Sequence, residues 1–430
     1  MPEPDDDGKR GSASSSKRKF KRIATYRDQV FFPEGHRKWS VSEHRRHLDD
    51  SVHSRSKLLL FLDIDHTILH STRDPRGADY VDHAVFGRDI FRIDFANQYN
   101  AAYFVKFRPS FRDLVRELTP LYDFVLYTMG SRAYAEQVAM VIDEQFSQFM
   151  PRSGSERAFD KRFVIGNRII CREDHGQIPD KEYKKDVARF APIDGEWCMV
   201  LDDTPEVWAK RDDVHRVPKY LFWPNPEKHA PGTNHRHSDA TNNKINIWSK
   251  NSITSWGDDR SLKRQEMDNV LVQAIEICKA VQQCYYAQWT PKETVKVSAP
   301  AIYDRIRKRI LEGVEVVFTG FIAHKNAKQD FHWKFAELFG ARVSEQITAT
   351  TTHLIGKEAK TGKIQEALRG DTIEIVHVNW LYQTIFNFGA ADCSKFRMFV
   401  DGEQVTPTMH CNLKLKSQRQ LVAMFQNSKR

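Results

Sequence analysis

"LLLFLDIDHTILH", Leu58 to His70, decides the fold. An unbroken apolar run predicts a strand buried on both faces. This one runs into Asp63 and Asp65, one residue apart, with Thr67 just beyond. Carboxylates so close together repel each other and resist burial. A parallel sheet resolves the conflict, because its ligands bind beyond the carboxyl ends of its strands.

Downstream, "FRIDF" and "AAYFVKF" flank the turn-like "ANQYN", a β-hairpin placed to act as a flap over a site. "SFRDLVRELTPL" predicts a helix, with Phe111, Leu114, Val115 and Leu118 at helical spacing. The strand "DFVLYT" ends at Thr128, and the helix "SRAYAEQVAMVIDEQF" comes next. A shorter helix is expected around Lys184 to Phe190, before a third apolar strand, "WCMVLDD", ends in Asp202 and Asp203. Strands alternating with helices predict an α/β fold around a parallel sheet. Asp63 and Asp65, Thr128, and Asp202 and Asp203 then meet at one sheet edge.

Several carboxylates at one site require a cation, or one of them stays protonated. An oxygen-only ligand set suits Mg²⁺, which shares its remaining positions with water and phosphate. At a strand end the chain can turn, so that one carboxylate and one backbone carbonyl of the Asp63–Asp65 pair face the same ion. Thr128 offers a hydroxyl to a phosphate oxygen, and Lys184 or Lys185 offers the balancing positive charge.

The rest of the chain is less specific. Of its 430 residues, 66 are Lys or Arg and 57 are Asp or Glu, a net charge of +9 that favours acidic partners. The six cysteines form no C-x-x-C pair, which argues against zinc or a redox pair and for free thiols in a reducing compartment. His235-Arg236-His237 sits among Pro, Gly, Asn and Ser and reads as a solvated loop. No window approaches the ~18 apolar residues of a membrane span. The N-terminus has no apolar signal-peptide core, and "KRKFKR", Lys17 to Arg22, reads as a nuclear-localisation signal in preference to a solubilising tail. A polar loop covers Pro226 to Arg260, and a helical pattern from Leu262 to Tyr286 holds Cys278 and Cys284 as core fillers. A second, smaller α/β unit from Ile302 to Phe399 has the strands "VEVVFTG", "ARVS", "THLIG" and "IEIVH", with the helix "DFHWKFAELFG" after the first.

"DIDHT" resembles the D-x-D-x-T signature of the haloacid-dehalogenase-like phosphatases, in the branch that dephosphorylates the C-terminal domain of RNA polymerase II. "FRPSFRDLV", "LYTMGSRAYA" and "MVLDDTPEVW" are similar to that branch's following motifs, in the same order. The small unit resembles a BRCT domain, through "VVFTGF", "FGARV", "TTHLIG" and "IVHVNWL". Together they look like the TFIIF-associating nuclear subfamily. The resemblance implies a Mg²⁺-dependent serine/threonine phosphatase with Asp63 as nucleophile, Asp65 as general acid and then base, Thr128 holding a phosphoryl oxygen, and Lys185 stabilising its charge. Lys185 is the lysine of "KDV", and Lys184 is the fallback. Asp63, the carbonyl of Asp65 and Asp203 would ligate the Mg²⁺, with Asp202 acting through water or orienting the shell. His66 and Ile64 stand where many relatives have Glu or Gln and Leu, at positions without a ligand role. In the small domain, Thr319, Gly320 and Lys363 match a phosphopeptide-binding pattern.

The expected division is a basic, disordered segment at 1–50, a catalytic domain at 51–225, a loop and helical connector packed on it at 226–300, a BRCT domain at 301–400 and a tail at 401–430. The implied partner is the phosphorylated C-terminal domain of the largest RNA polymerase II subunit, with general transcription factors besides. The nucleus is the expected location, and neither membrane nor sequence-specific nucleic-acid binding is expected. Two rivals stand beside this reading: the same chemistry on another nuclear phosphoprotein, and a catalytically weak BRCT scaffold. Every catalytic candidate precedes Pro205, so a chain cut near Lys296 is expected to keep its chemistry.

Overall fold

The computed structural model describes residues 56–94, 102–150, 163–166, 168–175, 184–187, 196–223, 266–289, 297–322, 324–358, 360–370, 372–400, 403–410 and 412–427. The Lys17 to Arg22 run, the hairpin turn and the His235 to His237 loop lie outside these residues.

The opening strand β1 (Leu58–Leu62) is buried at every position, as its composition requires. After the signature loop come β2 (Leu69–Thr72), β3 (Ile90–Asp94) and β4 (Ala102–Phe107). The expected hairpin is there, with Ile90 paired to Lys106 and Asp94 to Ala102. Not foreseen from the sequence is the pairing of β2 with β4, which makes a three-stranded antiparallel sheet. Helix α1 (Phe111–Leu118) buries the four apolar residues expected of it. β5 (Tyr122–Tyr127) follows, then α2 (Arg132–Phe146), whose N-terminus is capped by Ser131 accepting from the Tyr134 N–H. Two short strands, β6 (Ile169–Ile170) and β8 (Val214–Arg216), flank β7 (Cys198–Asp202) in the chain. The main sheet runs β6-β5-β1-β7-β8, all parallel, so β1 lies at its centre.

The helix expected around Lys184 to Phe190 does not begin at Lys184: among the described residues 184–187 only Val187 is helical, in a 3-10 turn, and 188–190 lie outside the described residues. Lys185 forms an isolated parallel bridge with Trp208 instead. Backbone pairing to the turn after β7 satisfies this segment's polar groups, so helical bonds are not needed.

Helix α3 (Val270–Gln288) packs against α1, and α4 (Ala299–Lys308) lies against β7. The small domain then builds a four-stranded parallel sheet from β9 (Glu315–Thr319), β10 (Arg342–Ser344), β11 (His353–Gly356) and β12 (Glu374–His377), in the order β10-β9-β11-β12. Its helices are α5 (Phe331–Leu338), α6 (Gly362–Ala367) and α7 (Asn379–Asn387). The segment expected as a tail contains α8 (Gln418–Asn427), which packs on α3 and α4 and buries Leu421 and Phe425. The stretch before it follows α3, through the Leu413 N–H to Asn269 Oδ1 and the Lys416 N–H to Gln273 Oε1, each 2.7 Å.

One contiguous hydrophobic core therefore reaches from Leu58 through Trp380 to Phe425. No helix among the described residues is long and apolar enough to cross a membrane.

Candidate active site

The sheet register assembles the site. Leu62 pairs with Leu126 on one side and Leu201 on the other, and the Asp63 N–H extends the ladder to the Leu201 carbonyl at 3.0 Å. Asp63 and Asp202 thus emerge side by side, with Tyr127 and Thr128 across from them. The chain then reverses at His66, whose φ of +64° is left-handed, a conformation that histidine adopts more readily than most residues. This reversal returns the Thr67 hydroxyl to the carboxylates, 3.1 Å from Asp63 Oδ2 and 3.3 Å from Asp203 Oδ1, while its oxygen accepts from the Asp203 N–H at 3.0 Å.

Asp63, Asp202 and Asp203 are all buried and present carboxylate oxygens within 4.8 Å of one another. The carboxylate of Asp65 is not part of this group. It accepts from the Tyr134 hydroxyl at 2.7 Å and from Ser71 at 3.4 Å. Lys185, 1% exposed, donates to Asp63 Oδ1 and Asp202 Oδ2, both at 2.7 Å. Its ammonium also lies over the rings of Trp208 and Tyr127, at 5.3 and 5.7 Å. The Trp208 indole donates to the same Asp202 oxygen at 2.8 Å. Lys184 points elsewhere, to the carbonyl of Glu206 at 2.6 Å. Of the two lysines left open by the sequence, the one inside the carboxylate cluster is Lys185.

Thr128 is buried, and its Oγ1 accepts from the Gly130 N–H at 2.9 Å. That bond leaves its own proton available to donate. Tyr134, Thr67 and Trp208 complete the geometry without having been expected from the sequence, as does Lys219, 3.7 Å from Asp203. The threonine was visible within "DIDHT" and the tyrosine at helical distance from Ser131, but neither reveals a partner without the fold.

The charges are poised. Burial, then the Asp202 charge, pushes the Asp63 carboxyl well above the usual range. Burial raises Asp202 as well, opposed by Lys185. Burial alone would lower the Lys185 ammonium, but Asp202 and Asp63 more than reverse this and hold it charged. Burial raises Asp65 too, against the hydrogen bond from Tyr134. Three crowded carboxylates outnumber Lys185 and the half-buried Lys219, and the excess of negative charge that remains is removed by a hard cation bound by oxygen. The donor set fits a divalent ion held by Asp63 and Asp203.

In the small domain, the Thr319 and Thr361 hydroxyls are 2.8 Å apart, and Gly320, at φ +79°, packs against Thr361. Lys363 reaches back to the Phe318 carbonyl at 3.3 Å. Thr319, Gly320 and Lys363 are therefore neighbours.

Comparison with known proteins agrees with this layout. Residues 58–230 match the family model of the NLI interacting factor-like phosphatases, and residues 307–385 match the BRCA1 C Terminus (BRCT) domain. The "RNA polymerase II C-terminal domain phosphatase-like 4" of Arabidopsis thaliana is 25% identical over 340 residues, covering 76% of this chain and 66% of that protein. An RNA polymerase II C-terminal domain phosphatase of Schizosaccharomyces pombe is 20% identical over 428 residues, covering 78% of this chain and 56% of that protein. The chain thus spans somewhat less than two thirds of these relatives. The solved structure of "Fcp1, an essential RNA polymerase II CTD phosphatase" is 21% identical, with a TM-score of 0.62 over 83% of this chain and 99% of that one. A fission yeast Fcp1 variant bound to beryllium fluoride gives 0.61 at 20% identity, with the same coverage. The fold, the ordered motifs and the family matches identify an NLI interacting factor-like phosphatase domain at residues 58–230 and a BRCT domain at residues 307–385.

Proposed function

We propose that the chain is a Mg²⁺-dependent phosphoserine/phosphothreonine phosphatase acting on the C-terminal repeat domain of RNA polymerase II, in the nucleus. The observation that carries the chemistry is Lys185 seated between Asp63 and Asp202, with Asp203 beside them. The names of the relatives support the substrate. Asp63 Oδ attacks phosphorus in line, giving an aspartyl-phosphate as the seryl oxygen departs. Asp65 supplies the proton to that oxygen, and burial, which raises its pKa, favours the protonated form. Because Tyr134 holds one Asp65 oxygen, the other is free to carry the proton. In the second half, Asp65 takes a proton from the water that attacks the aspartyl-phosphate. Lys185 and the Thr128 hydroxyl hold the phosphoryl oxygens throughout. The Mg²⁺ would be held by Asp63, Asp203 and the Asp65 carbonyl, and supplies charge neutralisation when bound. Thr319, Gly320 and Lys363 would contact a second phosphate on the same tail.

The test is turnover of singly phosphorylated repeat peptides beside unrelated phosphopeptides, with Mg²⁺ and with chelator. Selective, chelator-sensitive hydrolysis that is lost in Asp63→Asn and in Asp65→Asn is expected. Hydrolysis surviving in either folded variant sinks the assignment, and equal turnover of unrelated peptides moves the substrate to another phosphoprotein.

A further inference from the structure

The small domain touches the phosphatase domain close to its lysine. The Lys185 backbone is clasped by the turn after β7, its N–H donating to the Val207 carbonyl at 2.7 Å and its carbonyl accepting from Ala209 at 2.8 Å. That turn carries Trp208, which caps Asp202 and faces the ammonium. It also carries Glu206, whose Oε1 accepts from an Arg216 guanidinium nitrogen at 3.0 Å. Arg216 ends β8, opposite Asp202 in the ladder, and is buried. Its guanidinium lies over two rings of the small domain's helix α5, Phe331 at 5.0 Å and Phe335 at 5.3 Å. One side chain thus joins the BRCT helix, the strand end bearing Asp202 and the turn that seats Lys185.

We infer that the BRCT domain acts as a positioning element for catalysis: Phe331 and Phe335 hold Arg216, Arg216 holds Glu206, and Glu206 fixes the turn that places Lys185 and Trp208 against Asp63 and Asp202. This rests on the phosphatase reading above. Arginine suits the task because its flat cation stacks on rings while its edge pairs with a carboxylate, which a lysine cannot do equally well. Small displacements of a charged group in a dry site are costly to rate.

The experiment uses the full chain and a small aryl phosphate, which has no peptide to reach the small domain. Phe335→Ala and Arg216→Ala are each expected to lower kcat about tenfold with KM little changed, because the placement of Lys185 and Trp208 is disturbed and no substrate contact is lost. In a Lys185→Ala background, Phe335→Ala should cost much less than tenfold, since the two changes act largely through one group. Arg216→Lys should not restore the rate. A readout independent of turnover is the isotope-labelled ammonium resonance of Lys185, assigned by its loss in Lys185→Ala, which should move in Phe335→Ala. If Arg216→Ala does not fold, Phe331→Ala and Phe335→Ala, at partly exposed rings, carry the test. Unchanged kcat and an unmoved resonance in folded Phe335→Ala overturn the inference, as does a full additional loss in the Lys185→Ala background. If the wild type hydrolyses nothing but the resonance still moves, the phosphatase reading has failed and the relay stands.

Discussion

Single side chains divide the work at the sheet edge, and the division is measurable. Lys185 touches Asp63 and Asp202, whereas Lys184 touches only a carbonyl, so Lys185→Ala should lower turnover by roughly a hundredfold, about 3 kcal/mol, and Lys184→Ala much less. Steady-state kinetics on one peptide decide it, and a reversed ranking would transfer the role. Tyr134 offers a subtler test. Its hydrogen bond works to lower the raised pKa of Asp65, so Tyr134→Phe lets that pKa climb further. The acid form then survives to higher pH, and the basic limb of the kcat/KM profile should move up. A limb that stays put or moves down would separate Tyr134 from the general acid. Asp63, Asp65, Asp202, Asp203 and Thr128 were legible as residues because strand ends and motif order expose them, and the lysine was narrowed to Lys184 or Lys185. Thr67 and Tyr134 were not: the role of Thr67 depends on the reversal at His66, and that of Tyr134 on a hydrogen bond to a residue 69 positions away.

Whole elements explain the difference between a tail and a strut. Helix α8 buries Leu421 and Phe425 against α3 and α4, so Leu421→Ala should cost about 2–4 kcal/mol in urea denaturation. A loss near zero would mean that the helix is only loosely docked. A second element-level constraint lies at Gly340, where φ is +96° and a Cβ would stand 1.8 Å from the Lys308 carbonyl oxygen at the end of α4. Gly340→Ala combines a left-handed strain of roughly 1–3 kcal/mol with a backbone clash, so its melting temperature should fall sharply. The long helices and central strands were readable from period and run length. Strands β6 and β8, only two and three residues long, were not, because so few residues carry no period. At Lys185 a short local helical preference yields to a long-range bridge with Trp208.

At the scale of the molecule, the two domains share one core, which changes the outlook for a cut near Lys296. Such a chain lacks α4 and α8 and exposes the faces of β7 and α3 that they cover. It should therefore aggregate or melt well below the full chain, although every catalytic candidate is retained. A soluble fragment with an unshifted melting temperature would restore the simpler division. His215 reports on the same junction. It is buried between Tyr303, 3.1 Å from its Nδ1, and Phe388 of the small domain, and burial holds its pKa down at about 3. A histidine kept neutral in the fold contributes stability that is complete above its ordinary value of 6.5 and is lost as pH falls toward 3. Melting temperature should decline through that window, and His215→Gln should flatten the decline, whereas an equally steep curve would place the acid sensitivity elsewhere.

The sequence by itself determined the parallel sheet, the order of its motifs and the gathering of Asp63, Asp65, Thr128, Asp202 and Asp203 at one edge, because strand direction and the apolar period are local properties of the chain. Only the tertiary structure decided which lysine enters the carboxylate cluster, which hydroxyls orient the aspartates, and that Arg216 ties the BRCT helix to the catalytic turn. Those outcomes depend on contacts between residues far apart in the chain, and the packing that brings them together leaves no periodic trace in the sequence.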